Sequence, residues 1–265
     1  KTHTLLTGTN HDGDKTVELE KDSYSNHISH QFNEELEAIR TQMLTMGGIV
    51  ERQVNDAIEA LLTSDIELAE QARRIDKQTN EMELTIDEQC TTTIARRQPA
   101  ASDLRLIISI SRAVADLERI GDEASRIAQQ AIEMSEGSRT QHGFQEVRHI
   151  GNLVRDMVKN VLTAFARNDL EMAYRVAKQD RNVDQEYRTA MRTLVTFMME
   201  DVRSISNIMS VIWVLRSLER IGDHARNLSE HLIYQVSGTD VRHQSLQSMK
   251  KTVREETADD DGEEE

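Results

Sequence analysis

The chain has 265 residues, with one Pro, 11 Gly, four Tyr, four Phe and one Trp, 30 % charged residues and a formal net charge of −15. So few turn formers exclude the many tight reversals of sandwiches, barrels and propellers. A count of 32 Lys plus Arg against 47 Asp plus Glu leaves no basic face for DNA or RNA. Charge spread among Ala, Leu, Ile, Val and Met instead predicts an all-α protein of long amphipathic helices.

In chain order, residues 1–25 are polar and mixed in charge and contain no apolar signal segment. They read as a disordered extension. The first helix is predicted over 28–62, carried by Leu36, Ile39, Met43, Met46, Val50, Ala57 and Leu61 at spacings of three and four. Gly47 and Gly48 inside it weaken the helix by roughly 1–2 kcal/mol relative to two alanines, which suggests a close crossing or a bend. The second helix, 65–95, opens at Ser64-x-x-Glu67, read as an N-cap followed by a Glu that reaches back to it. It carries the lone Cys90, which is expected in the core and in a reducing, cytoplasmic compartment. Pro99, the only proline, breaks the chain before a third helix over 103–135. Further helices are predicted over 143–166, 169–200 and 203–236, and Trp213 on the last of them is expected in the core. The longest uncharged stretch near the middle, Ser204–Leu215, is too short to cross a bilayer. Residues 239–265 read as a disordered acidic tail, because the eight acids from Glu255 onward carry over half the net charge.

Self-similarity organises these elements. Leu117-Glu118-Arg119-Ile120-Gly121-Asp122 recurs unchanged as Leu218-Glu219-Arg220-Ile221-Gly222-Asp223, 101 residues later. Around it the seam Ile107, Ile110, Val114, Leu117, Gly121, Ala124 has its counterpart in Ile208, Val211, Leu215, Leu218, Gly222, Ala225. Upstream the offset is 104, as Ser64-x-x-Glu67 against Asn168-x-x-Glu171 shows. The fold read from this is two tandem antiparallel three-helix bundles, six helices in all, spanning 26–136 and 143–238.

Carboxylates stand where such bundles should be apolar. Glu118 with Asp122, and Glu219 with Asp223, are i, i+4 pairs flanking the third-helix seams, an arrangement that costs a few tenths of a kcal/mol in like-charge repulsion. In the second helix of copy two the seam runs Ala173, Val176, Asp180, Val183, with Asp184 four residues beyond Asp180. In copy one the same register holds Ala69, Ala72, Asp76 and Thr79, with Asn80 in the place of Asp184. A carboxylate in a seam costs several kcal/mol unless it is partnered. The partner is either arginine or lysine, with Arg73, Arg74, Lys77, Arg119, Arg126, Arg220 and Arg226 at hand, or a hard cation or iron held by oxygens. A ferritin-like di-iron oxidase needs paired Glu-x-x-His motifs, and only Glu146-x-x-His149 fits. No phosphate-binding loop, nucleophile elbow or zincin helix occurs, so no catalytic role is assigned to any residue.

The duplicated Leu-Glu-Arg-Ile-Gly-Asp, Asp76-Lys77, the run Asp180–Glu186, Arg97-Gln98-Pro99 followed by Asp103-Leu104-Arg105, and Met46-Gly47-Gly48 together resemble the PhoU family of phosphate-uptake regulators. The resemblance covers about 26–238. It implies two three-helix bundles related by a pseudo-twofold, in a protein that forms a homodimer. It also implies a non-enzymatic negative regulator that contacts the ATPase of the phosphate ABC transporter and a phosphate-sensing histidine kinase, meeting the membrane only through those partners. Multinuclear metal clusters on the pairs Glu118/Asp122, Glu219/Asp223 and Asp180/Asp184 are implied as well. Iron is the first expectation, with zinc, manganese, nickel or magnesium as alternatives. The fourth pair, Asp76 with Asn80, departs from the pattern and implies a weaker or smaller cluster. Two other readings of the same residues are a carboxylate metalloenzyme or metal store, and a metal-free helical scaffold.

Overall fold

The computed structural model describes the backbone of residues 13–135 and 142–260 and the side chains of residues 30–135 and 142–258. The chain divides into residues 1–38 and 39–265. Its helices are α1 (Gly13–Thr63), α2 (Ile66–Arg97), α3 (Ala101–Ser135), α4 (Phe144–Arg167), α5 (Leu170–Glu200), α6 (Ile205–Ser237) and α7 (Leu246–Asp260), with one 3-10 turn, Val202–Ser204, leading into α6. No strand occurs among the described residues.

The six expected helices are present, and the differences lie at the ends. Helix α1 begins at Gly13, inside the stretch read as a disordered extension; residues 1–12 lie outside the described ones. The expected acidic tail contains α7. Val241, Leu246, Met249 and Val253 are buried and α7 packs against α5 and α6. The spacing of three and four from Leu246 through Met249 to Val253 was overshadowed by the acids that follow it, and residues 261–265 lie outside the described ones.

Two aspartates set the sharp reversals. Ser64 and Asn168 do not cap α2 and α5 but close the preceding helices in left-handed conformation, at φ 61° and 52°. The caps are one residue later. Asp65 accepts from the Leu68 amide at 3.0 Å and Asp169 from that of Met172 at 2.8 Å. The same two residues donate their own amides back to the Ala60 and Ala164 carbonyls, each at 3.0 Å. One residue thus satisfies orphan groups of both helices.

Within 39–265, equivalent helices of the two copies face one another. Helix α3 packs along α6, and α1 meets α4 through a reciprocal pair of contacts. A Cβ placed on Gly47 would collide with Cδ2 of Leu162, and one on Gly151 would lie 3.2 Å from Cγ2 of Ile58. Gly47 and Gly151 are 104 residues apart, as are Ile58 and Leu162, so this crossing is itself two-fold. It settles the role of Gly47 as a close crossing. Gly48, its neighbour, is exposed with nothing within 4 Å of an added Cβ. Cys90 is in the core as expected, and burial pushes its thiol up to about 12. Trp213 is not. It is 59 % exposed, because it stands off the seam formed by Ile208, Val211, Leu215 and Leu218.

Replacing Gly48 by Ala is expected to raise stability by about 0.5–1 kcal/mol, the helix-interior penalty of glycine. Gly47→Ala should gain less, because the Leu162 methyl must move. Urea midpoints of the two variants check this, and an equal gain at both positions would contradict the crossing.

Candidate metal centre

Helices α5 and α6 bring the second copy's acids together. Gly222 lies where α6 meets α5, and a Cβ there would sit 3.4 Å from Val183 and 3.6 Å from Oδ1 of Asp180. The missing side chain lets the Asp180 carboxylate lie against the backbone of α6. Asp180 is 3 % exposed. One oxygen each of Asp180, Asp184 and Asp223 lie within 4.8 Å of one another, the first buried, the second half-buried and the third exposed. Glu219, half-buried, joins them electrostatically. Asp223, Asp184 and Asp180 all raise its pKa, after burial as the largest cause.

Arginines reach this cluster only partly. Arg226 lies 3.4 Å from Oδ2 of Asp180, Arg216 3.1 Å from Oε1 of Glu219, and Arg188 3.4 Å from Oδ2 of Asp184. Oδ1 of Asp180 and Oε2 of Glu219 remain buried without a hydrogen-bond partner. Of the other basic residues expected near the acids, Arg126 and Arg220 bind Glu123, Arg74 binds Glu70 and Lys77 binds Glu81. Two buried, unsatisfied carboxylate oxygens in an all-oxygen donor set fit a hard cation or iron. They do not fit an apolar core, where each would cost a full desolvation penalty.

In the first copy Asp76, Asn80, Glu118 and Asp122 are all half-buried. Asp122 and Glu83 push Glu118 upward, and Asp122 does the same to Asp76, in each case after burial as the largest cause. Arg119 spans Glu118 at 3.4 Å and Asp122 at 3.7 Å. Oδ1 of Asn80 is buried and unpartnered. Here Gly121 faces Thr79 and Gln53 rather than an acid. Gln53 of α1 is fully buried and donates to the carbonyls of Ala72 and Gly121, at 3.0 and 3.2 Å.

Two features escaped the reading of the sequence. Glu83, raised by burial, Asp87 and Asp122, belongs electrostatically to the first-copy cluster. The duplication gives no signal for it, since Tyr187 occupies the equivalent position. The second is Asp116 of α3, which accepts from Asn227 Nδ2 at 3.0 Å and contacts His224 Nδ1 and His231 Nε2 at 2.8 Å each, all on α6. Bonds from His224, His231 and Asn227 outweigh burial and hold its carboxyl down at about 2.

The pH dependence of the metal-stripped protein follows from Asp180. Burial first, then Asp223 and Asp184, push it up to about 6 from an ordinary 3.8. Between these values the folded state keeps a proton that the unfolded chain has released. The carboxyl therefore favours folding fully below about pH 4, and that contribution is lost as pH rises through about 6, a swing on the order of 2–3 kcal/mol. Glu219 and Asp223 are raised in the same sense. In chelator, Asp180→Asn is expected to flatten this loss and to raise the urea midpoint at neutral pH above that of the parent. An unchanged profile between pH 4 and 7 would contradict the assignment.

A family model for the PhoU domain matches residues 43–131 and again 147–232. The phosphate-specific transport system accessory protein PhoU homolog of Pseudomonas putida is 59 % identical over 236 residues, covering 89 % of this chain and 92 % of that protein. The crystal structure of PhoU from Pseudomonas aeruginosa superposes with a TM-score of 0.77 at 60 % identity, over 78 % of this chain and all of that one. The phosphate transport system regulatory protein PhoU of Streptococcus pneumoniae gives 0.73 at 30 % identity, over 79 % and 99 %. With the domain matched once on each bundle, the chain belongs to the PhoU family.

Proposed function

We propose that this protein is an accessory regulator of phosphate transport that acts by contact rather than by turnover. The observation that carries the reading is the 59 % identity with a phosphate-specific transport accessory protein across nearly its whole length. The finer reading is negative regulation. When phosphate is plentiful the protein holds down the transporter and the phosphate-starvation response, through the ATPase of the phosphate ABC transporter and a sensor histidine kinase, from the cytoplasmic side and as a homodimer. Among the described residues no helix is long and apolar enough to cross a membrane, which suits a protein that meets the membrane through partners.

Metal belongs to the same proposal. Asp180, Asp184, Glu219 and Asp223 would hold one cation, iron first and zinc, manganese, nickel or magnesium otherwise. Asp76, Asn80, Glu118 and Asp122, joined by Glu83, would hold a second and weaker one. A bound ion would supply positive charge to these acids, which stand on α5 and α6 at one site and on α2 and α3 at the other. This chain's own contribution is to place the acids, with Gly222 permitting close approach of Asp180 and the arginines closing the rim. A bound ion that favours one arrangement of partner-binding surfaces shifts the population toward it.

Two measurements test this. Copurification with the transporter ATPase and the kinase is expected to differ between high and low phosphate, and identical recovery under both conditions would contradict a switch. Elemental analysis after chelator-free purification is expected to find most of the metal lost from Glu219→Ala/Asp223→Ala and a smaller loss from Glu118→Ala/Asp122→Ala, with helicity retained in both. Stoichiometric metal in the first variant, or its unfolding, would make those acids structural.

A further inference from the structure

The duplication that aligns α3 with α6 gives every contact across that pair a mate with the helices exchanged. The mate of Asp116 is Ser217, and the mates of His224, Asn227 and His231 are Glu123, Arg126 and Gln130, each 101 residues apart. At the first location the Asp116 carboxylate fills the space between the helices and satisfies all three partners on α6. At the second, α6 offers only the Ser217 hydroxymethyl, and a pocket of about 370 Å³ opens beside Trp213. Its floor is Glu123, whose side chain is 3 % exposed and holds Arg126 at 2.5 Å and Arg220 at 2.8 Å. Arg216 lines it as well. One location is thus filled by a carboxylate of α3, while at the other Glu123 of α3 pairs Arg126 and Arg220 and the space beside Ser217, the mate of Asp116, stays open.

An apolar ridge leads to the void. Ile205, Met209 and Trp213 follow at i, i+4 and i+8 on α6 and are 39 %, 37 % and 59 % exposed, and Met199 and Val202 before them are 81 % and 72 % exposed. The mates of these three on α3 are Leu104, Ile108 and Arg112. The first two are half-buried, and Arg112 lies 5.6 Å over the Tyr234 ring. The ridge is therefore a property of the second copy alone. Contiguous exposed apolar surface beside Trp and Arg is the composition of a docking site.

We propose that this groove docks an acidic amphipathic segment of a partner protein. Its apolar residues lie on the Ile205–Met209–Trp213 ridge, and one of its carboxylates enters the pocket, where Arg126, Arg216 and Arg220 outnumber the one lining carboxylate, Glu123. Charge decides the occupant. On a chain of net charge −15, a lining of three arginines against the single carboxylate Glu123 is a local positive excess, and it favours an acidic partner in this register. The surface deepens the contact-based function above and rests on it for the existence of a partner. Testing purified protein with a synthetic peptide keeps the two separable, since the phosphate dependence of copurification does not enter.

Trp213 is the only tryptophan, so its emission reports the groove. The full chain is titrated with a synthetic amphipathic helix built from Leu, Ala and Glu, and with the same helix carrying Lys for Glu. The acidic helix is expected to shift Trp213 emission to the blue and to saturate, and the Lys helix to bind at least tenfold more weakly. Ser217→Asp, which installs the carboxylate that Asp116 provides at the mate, should weaken the acidic helix at least tenfold, and so should Arg220→Gln. If Ser217→Asp loses helicity, Arg220→Gln decides. Equal binding of the two helices, or undiminished binding by the variants, would overturn the proposal. So would an equal response to ATP, which would make the pocket a nucleotide site. Self-association that covers Trp213 and excludes the peptide would overturn it too, by assigning the groove to a second copy.

Discussion

A carboxylate placed in the seam between two packed helices cannot stay ionised there without a positive partner, and Asp180 is such a group. It is 3 % exposed, one of its oxygens meets Arg226 at 3.4 Å, and the other has no hydrogen-bond partner. Asp184, Glu219 and Asp223 crowd more negative charge around it. The surrounding architecture follows from accommodating these oxygens. Gly222 removes the side chain that would fill their space, and α5 and α6 remain closely packed on either side. An apolar replacement would satisfy the bundle at lower cost, and we propose that what the acids supply is a place for a cation.

The duplication shows how the same positions can be solved in different ways. In copy two the space beside the seam glycine is taken by the Asp180 carboxylate. In copy one Gln53 reaches there and is tied to two backbone carbonyls, where its counterpart 104 residues later is Met157, a fully buried apolar residue. Asn80 for Asp184 lowers the negative charge of the first cluster, since a neutral amide oxygen replaces a charged one. Asp116 and Ser217 diverge as well: the Asp116 carboxylate fills its place between α3 and α6, while a pocket remains beside Ser217 next to the Glu123–Arg220 ion pair. The pseudo-twofold thus builds one frame and then breaks its symmetry at the acid clusters and at the α3–α6 contacts.

Much of this was legible in the letters because periodicity and duplication are written locally. The seams from Ile107 to Ala124 and from Ile208 to Ala225 placed α3 and α6, and the offset of 101 paired them. The out-of-place Asp180 was visible as an acid in an apolar register. Residues whose role depends on contacts that the duplication does not repeat were not visible. Glu83 and Asp116 have no repeat partners of like chemistry, and His224 and His231 gain their carboxylate only when α3 lies against α6. Trp213 misled because size suggests burial, while its register puts it off the seam. Asp65 and Asp169 were one residue beyond the expected caps because a left-handed Ser64 or Asn168 must first close the helix before. Helix α7 was hidden by the charge of the acids that follow its apolar positions.

The central claim, that a cation neutralises a carboxylate held partly protonated by its surroundings, is tested most directly by counting protons. Calorimetric titration of metal-stripped protein with Mn²⁺ at pH 6, in buffers of different ionisation enthalpy, is expected to release about half a proton or more per site, because binding requires a deprotonated Asp180. Asp180→Asn is expected to bind weakly and to release markedly fewer protons. Absence of binding, or the same proton release from the parent and from Asp180→Asn, would contradict the account.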